Sequence, residues 1–224
     1  MGLRGPKPKG KVNIKWSADF AYAIGLLVSD GCLSSDGRHI DLTSNDREQL
    51  ENFCRALNIE VDIKKKDKSK EKSLRIQFGD VLFYNFLISI GVTPKKSKTI
   101  REIKIPKEFF FDFLRGSFDG DGSFYSYWDK RWKSSHMFYV SFYSASRKHI
   151  KWIQNEIKIQ SDIEGHISKS QSEGSVYGLR YAKKESLVII KKMYYNHNVV
   201  CLKRKKDKIR KAIKIEEKQQ LKYI

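Results

Sequence analysis

Cysteine is scarce: Cys32, Cys54 and Cys201 are the only three in 224 residues, and none stands in a CxxC pair. That usage excludes a disulfide framework and a structural zinc site, so the thiols are expected to be ordinary and buried. Long apolar runs are also missing. The stretch Phe20 to Val28 is too short and interrupted to cross a bilayer, which takes about 20 residues. The start, Met1 to Lys15, has five basic and no acidic residues, but no apolar segment with a cleavage site follows. The expected setting is intracellular and soluble, with no membrane partner. His39, His136, His149, His166 and His197 make no HxH or HExxH pattern, so neither a zinc nuclease nor an HNH-type site is indicated. No Walker loop or Rossmann glycine pattern is present, which argues against ATP and dinucleotides.

Acidic residues are few as well, with 26 Asp and Glu against 45 Lys and Arg, a net charge of +19. Such a surface attracts polyanions over roughly 8 to 10 Å in physiological salt. Nucleic acid is the leading partner; the alternative is a lysine-rich solubility surface. With 40% hydrophobic and 12% aromatic residues, the chain has enough material for a core, which excludes a wholly disordered basic tail. Its length suits one large domain or two small ones fused.

An internal repeat favours two. Ala23-Ile24-Gly25-Leu26-Leu27-Val28-Ser29-Asp30-Gly31 aligns with Leu114-Arg115-Gly116-Ser117-Phe118-Asp119-Gly120-Asp121-Gly122, sharing the third-place glycine, a small seventh residue and a terminal Asp-Gly. Ile40 to Asp46 and Val140 to Ser146 then alternate like strands that meet a helix start. The second copy gains nine residues between these matches, placed in a longer hairpin around Asp129 to Ser135. Each copy continues with a helix (Asp46 to Leu57; Ser146 to Ile157), two strands (Val61 to Lys66 and Leu74 to Phe78; Asp162 to Ser168 and Val176 to Ala182) and a further helix (Asp80 to Ile90; Lys184 to Tyr195). Each closes on a basic cluster, Lys95 to Lys98 and Arg204 to Asp207. Leu202 to Ile224 reads as a basic helix or a frayed tail. The expected division is 1–104, a basic tail with the first repeat, and 105–224, the second repeat with the C-terminal helix.

In a helix, Ala21, Gly25 and Ser29 form a ridge of small residues, as do Gly116 and Gly120, permitting close backbone approach. Packing the ridges together would bring Asp30 and Asp121 side by side at two helix C-termini. Like charge and the negative dipole ends make that arrangement costly unless a cation occupies it. Oxygen ligands without nearby His or Cys suit Mg²⁺ or Mn²⁺, and beside a polyanion the implied chemistry is metal-assisted phosphodiester hydrolysis. A single Asp-Gly after an apolar helix is ordinarily a helix stop; its recurrence on matching ridges points elsewhere. A calcium loop starting at Asp119 fails, because its sixth place is Phe124 rather than Gly.

Both segments resemble the LAGLIDADG signature, and two copies in one chain are similar to the monomeric LAGLIDADG homing endonucleases. The resemblance spans about Phe20 to Ile209, with the first copy looser because Val28 stands where an acidic residue is common. It implies an α+β fold of two pseudo-symmetric αββαββα repeats packed through the signature helices, each with a four-stranded antiparallel DNA-binding sheet. It further implies Asp30 and Asp121 as catalytic metal-binding carboxylates, one per strand cut, and Lys96 and Lys205 near the attacking water and the phosphate. The alternative for both lysines is plain phosphate attraction. Mg²⁺, short 3′ overhangs, a long and nearly asymmetric duplex target and a monomeric state follow from the same resemblance.

Strand alternation, together with the resemblance, assigns the nucleic-acid face. Apolar Ile40 and Leu42 must face the helices, which leaves Asp41 and Thr43 outward. The same reading exposes Lys64, Lys66, Arg75 and Gln77, then Tyr125, Tyr127, Ser141, Tyr143, His166, Ser168, Tyr177 and Arg180. Two such sheets would form one saddle in the major groove, with some of these residues touching only phosphate or solvent. Lys64 to Lys72 reads as a basic hairpin tip over the backbone or a solvated turn, and Trp128 and Trp132 are expected to pack on the sheet. The expected activity is site-specific double-strand DNA cleavage. The alternative is a non-cleaving binder on the same scaffold, an intron RNA maturase or a DNA-binding regulator.

Overall fold

The computed structural model describes residues 10–66, 73–132, 135–170 and 176–220. The first repeat runs α1 (Ala18–Ser29), β1 (Gly31–Leu33), β2 (His39–Ser44), α2 (Arg47–Leu57), β3 (Lys64–Lys65), β4 (Leu74–Gly79) and α3 (Val81–Ile90). The second runs α4 (Phe110–Gly120), β5 (Ser123–Trp128), β6 (His136–Ser144), α5 (Arg147–Ser161), β7 (His166–Lys169), β8 (Tyr177–Tyr181) and α6 (Lys183–Met193), and α7 (Lys203–Gln220) follows. Both sheets are antiparallel with the same topology, β1-β2-β4-β3 and β5-β6-β8-β7. The fold is α+β and repeats αββαββα as the duplicated pattern predicts.

Local chemistry sets the helix starts. Ser17, Asp46, Asp80 and Ser146 each accept a hydrogen bond from a first-turn N–H, at Phe20, Glu48, Phe83 and His149. Three boundaries differ from expectation. α5 runs on to Ser161 and stops where Asp162 takes a left-handed conformation at φ 51°, so β7 starts only at His166. β3 is reduced to Lys64–Lys65, because Ile63 joins the core without a ladder partner. The basic C-terminal segment is helical, with Ile209 buried and Ile213 packed on the core. The tips between Lys66 and Ser73 and between Trp132 and Ser135, part of the Met1 to Lys15 segment, and Leu221 lie outside the described residues.

Helices cover one face of each sheet. Ile40, Leu42, Ile76 and Phe78 point into the core from the first sheet, and Phe138, Val140, Phe142, Leu179 and Tyr181 from the second. α1 and α4 cross at the centre in backbone contact. A Cβ on Gly25 would fall 2.1 Å from the Phe113 carbonyl oxygen, and one on Gly116 would fall 2.0 Å from that of Tyr22. Only glycine admits so close an approach. Among the described residues no helix is long and apolar enough to cross a membrane. The thiols depart from expectation: Cys32 is exposed on β1, while Cys54 and Cys201 are half-buried.

Candidate active site

Asp30 and Asp121 are the C-terminal caps of α1 and α4, each bonding back into its helix through its own N–H. Gly120, just before Asp121, lies so close to α1 that a Cβ there would sit 2.0 Å from Ser29 Oγ and 2.8 Å from Asp30 Oδ2. The helix crossing therefore carries both carboxyl groups to one place. Burial pushes the Asp30 carboxyl up to about 6, and the facing charge of Asp121 adds to it. Asp121 keeps solvent at its tip, and the surrounding protein pushes its carboxyl up too, opposed by Lys96 and Lys205.

The two lysines occupy matching positions. Lys96 is buried in a 3₁₀ turn, Lys96–Lys98, and its Nζ donates to the Gly31 carbonyl at 2.5 Å. Lys205 is buried in the first turn of α7 and donates to the equivalent Gly122 carbonyl at 2.7 Å. Lys205 also reaches the carbonyls of Phe118, Asp119 and Gly120, at 2.5, 2.9 and 3.3 Å. An ammonium has three hydrogens, so Lys205 is spent on capping α4, where a cation also meets the negative dipole end. Lys96 has one such bond among the described residues and keeps donors in reserve. Burial pulls both lysines down, Lys205 to about 8.

Three residues packed around this region escape a motif-based reading. Gln49 on α2 donates to Asp30 Oδ2 and accepts from Ser44 Oγ at 2.8 Å. The duplication puts His149 on α5 where Gln49 stands on α2. Its Nδ1 lies 2.6 Å from the Arg101 carbonyl, its Nε2 is buried without a partner among the described residues, and burial pulls its pKa down to about 4. His149 lines a cavity of 140 Å³ with Asp121, Lys96, Ser117, Ser144 and Val28. The third is Asp119, wholly buried, which accepts from Tyr22 Oη at 2.8 Å and from the Leu202 N–H at 2.7 Å. It joins α1 to the segment leading into α7. Aligning the repeats at an offset of 100 would have exposed the Gln49 and His149 pair.

The open sheet faces carry most of the expected surface residues. Ladder partners share a face, so Thr43, Arg75 and Lys64 lie together, with Gln77 and Lys66 alongside. Tyr125, Tyr127, Tyr143, His166, Ser168 and Arg180 share the corresponding face of the second sheet. Three expectations need correction. Asp41 lies on the open face of the first sheet but is buried in an ion pair with Arg75. Ser141 is likewise covered, between Ser123 and Arg180. Tyr177 is an odd number of residues from Arg180, so it faces the helices and packs on the core. Of the two tryptophans, Trp128 packs over His136 at 5.0 Å, whereas Trp132 is 68% exposed.

Among the described residues no group of three or more His, Cys, Asp or Glu side chains could hold a metal ion. The paired carboxylates nevertheless fit a hard cation that keeps water and takes oxygen ligands from a bound phosphate.

The fold and site define a duplicated α+β scaffold with paired acidic helix ends beneath a two-sheet surface. No protein-family model matches the sequence, and no curated protein matches it. Among solved structures, the homing endonuclease I-WcaI bound to its DNA recognition sequence is similar over 92% of this chain and 94% of its own, with TM-score 0.61 at 14% identity. I-DmoI in complex with DNA and Mn aligns over 80% of this chain and 98% of its own, with TM-score 0.52 at 12% identity. Full-length DUF199/WhiA from Thermatoga maritima aligns over 92% of this chain with TM-score 0.56 and 14% identity, and the chain spans 63% of its length. The α+β fold therefore matches that of solved homing endonucleases.

Proposed function

We propose that this protein is a site-specific double-strand DNA endonuclease of the LAGLIDADG homing type, with 1–104 and 105–224 as its two units. The observation that carries the reading is the meeting of Asp30 and Asp121 at the ends of two helices packed backbone to backbone. Their raised pKa values mark a site where negative charge is held at a cost without a counter-ion. Mg²⁺ or Mn²⁺ bound there would supply Lewis-acid assistance and an activated water for phosphodiester hydrolysis.

The protein's own groups then divide the work. Asp30 and Asp121 would hold the cation. Gln49, fixed by Ser44, aims the Asp30 carboxylate, and Lys96 offers its remaining N–H groups to a phosphate oxygen. Lys205 acts by holding the end of α4, and so Asp121, in place. The two sheets present Lys64, Lys66, Arg75, Gln77 and Arg180 toward duplex DNA, where charge fixes position and side-chain edges read bases.

The purified protein with a randomised duplex library and Mg²⁺ is expected to release double-strand breaks at a specific sequence. Asp30→Asn and Asp121→Asn should each lower cleavage at least about 10³-fold while leaving binding intact. Unchanged cleavage of both strands in either variant overturns the site assignment. Specific binding with no cleavage in either metal points instead to a non-cleaving binder.

A further inference from the structure

The two sheets share topology and register but not chemistry. On the first, the Asp41 and Arg75 ion pair sits beside Lys64, and a cavity of 310 Å³ is lined by Lys64, Lys65, Lys66, Arg75, Gln77 and Asp62. On the second, the corresponding ladder positions hold Ser141, Gly178 and Ser168. The space so vacated is taken by aromatic rings. Tyr125 and Tyr127 lie 5.5 Å apart, Tyr127 and Tyr139 stack at 6.3 Å with 11° between planes, and the Arg180 guanidinium stands 5.6 Å from the Tyr139 ring. Tyr143 lies over Gly178, where a Cβ would come within 3.1 Å of the ring. Together they line an open cavity of 540 Å³, and Tyr125 is 62% exposed.

Such a surface suits one feature of duplex DNA better than the others. The ring separations are those of direct aromatic contact, leaving no gap for an unpaired base to slide between Tyr125, Tyr127 and Tyr139. Tyr127 and Tyr139 hydrogen-bond to each other, and the outward ring edges remain for a groove. In the major groove the one apolar group a base pair offers is the thymine 5-methyl. We infer that the second sheet selects thymines through methyl contacts with Tyr125, Tyr127 and Tyr143, while the first sheet reads its half of the target by charge and hydrogen bonds. This rests on the DNA-binding reading above.

The test uses the full chain and the duplex selected from the library, with binding measured without cleavage in Ca²⁺. Thymines are replaced by uracil in one half of the target at a time, which removes only methyl groups. In one half the dissociation constant should rise about fourfold per contacted methyl lost; in the other it should stay within about twofold. Tyr125→Ala and Tyr127→Ala should each reduce the discrimination between thymine and uracil versions of the sensitive half by about fourfold per methyl that ring contacts, and Tyr125→Leu should keep it. Equal uracil effects in both halves, no effect in either, or discrimination undiminished in both alanine variants overturns the inference. Tighter binding to single-stranded RNA of the same sequence also overturns it. A duplex that is bound and cut without methyl dependence removes only this inference; no specific duplex at all removes the endonuclease reading with it.

Discussion

Gly25 meets Gly116 where α1 and α4 cross, and no side chain lies between them. A methyl group at either position would have to displace main-chain atoms of the other helix. Gly25→Ala and Gly116→Ala should each destabilise the protein by about 3 kcal/mol or more in urea unfolding, at the upper end of overpacking costs. Gly79→Ala is the control, because its new methyl would find ordinary contact at 3.6 Å. A Gly25→Ala variant as stable as Gly79→Ala would contradict the close crossing.

The raised carboxyl of Asp30 has a consequence for stability. A group that holds its proton to about 6 when folded, against about 4 when unfolded, favours the folded state below pH 4. That contribution is lost as pH rises from about 4 to about 6, a change of about 1 to 3 kcal/mol without divalent cation. Urea midpoints across this window should fall more steeply for the parent protein than for Asp30→Asn. Identical slopes in the two proteins would show that Asp30 titrates normally.

Lys96 and Lys205 look equivalent in sequence, but their surroundings predict different losses. Lys205→Met strips a donor from the carbonyls at the end of α4 and should cost about 2 to 4 kcal/mol of stability. Lys96→Met removes one carbonyl bond, should cost about 1 kcal/mol, and should reduce cleavage by at least about tenfold at saturating DNA. Unfolding curves and single-turnover cleavage rates separate the two roles. Equal stability losses would rule out the capping role given to Lys205.

Salt should divide the sheets. Neutralising about six to ten phosphates gives a log-log slope of about −5 to −9 for binding against salt. Lys64→Ala and Lys66→Ala should each reduce its magnitude by about one, whereas Tyr125→Ala should weaken binding and leave the slope unchanged. Titrations between low and moderate salt decide this, and a nearly flat response in the parent protein would exclude the saddle surface.

Periodicity reached much of this structure because both repeats obey simple rules. Ile40 and Leu42 had to face the helices, and two ridges of small residues had to meet. Alternation says which face a residue is on, not whether a neighbour covers it. Asp41 thus falls on the expected face and is still buried by Arg75. Tyr177 shows a different failure: alternation is applied to put it on one face with Arg180, yet the two stand three residues apart and the two-residue period places Tyr177 inward. Gln49 and His149 carry no motif, and their proximity to the paired carboxylates depends on how α2 and α5 pack against the central helices. Asp119 stands at the sixth place of the signature, where the first copy has Val28, and only the tertiary fold brings Tyr22 and Leu202 to it.

The segment entering α7 returns to the first repeat. Asn52 donates to the Cys201 carbonyl at 3.0 Å, the Lys203 N–H reaches Glu48, and Arg204 pairs with Asp46 at 2.6 Å. The C-terminal portion, held on its own repeat by Lys205 and Leu202, therefore acts as a buckle that fastens it to the opposite half. Nicked between the repeats, the halves would carry a built-in rule for mate choice: the N-terminal piece supplies a clasp, and the C-terminal piece alone supplies what fastens into it.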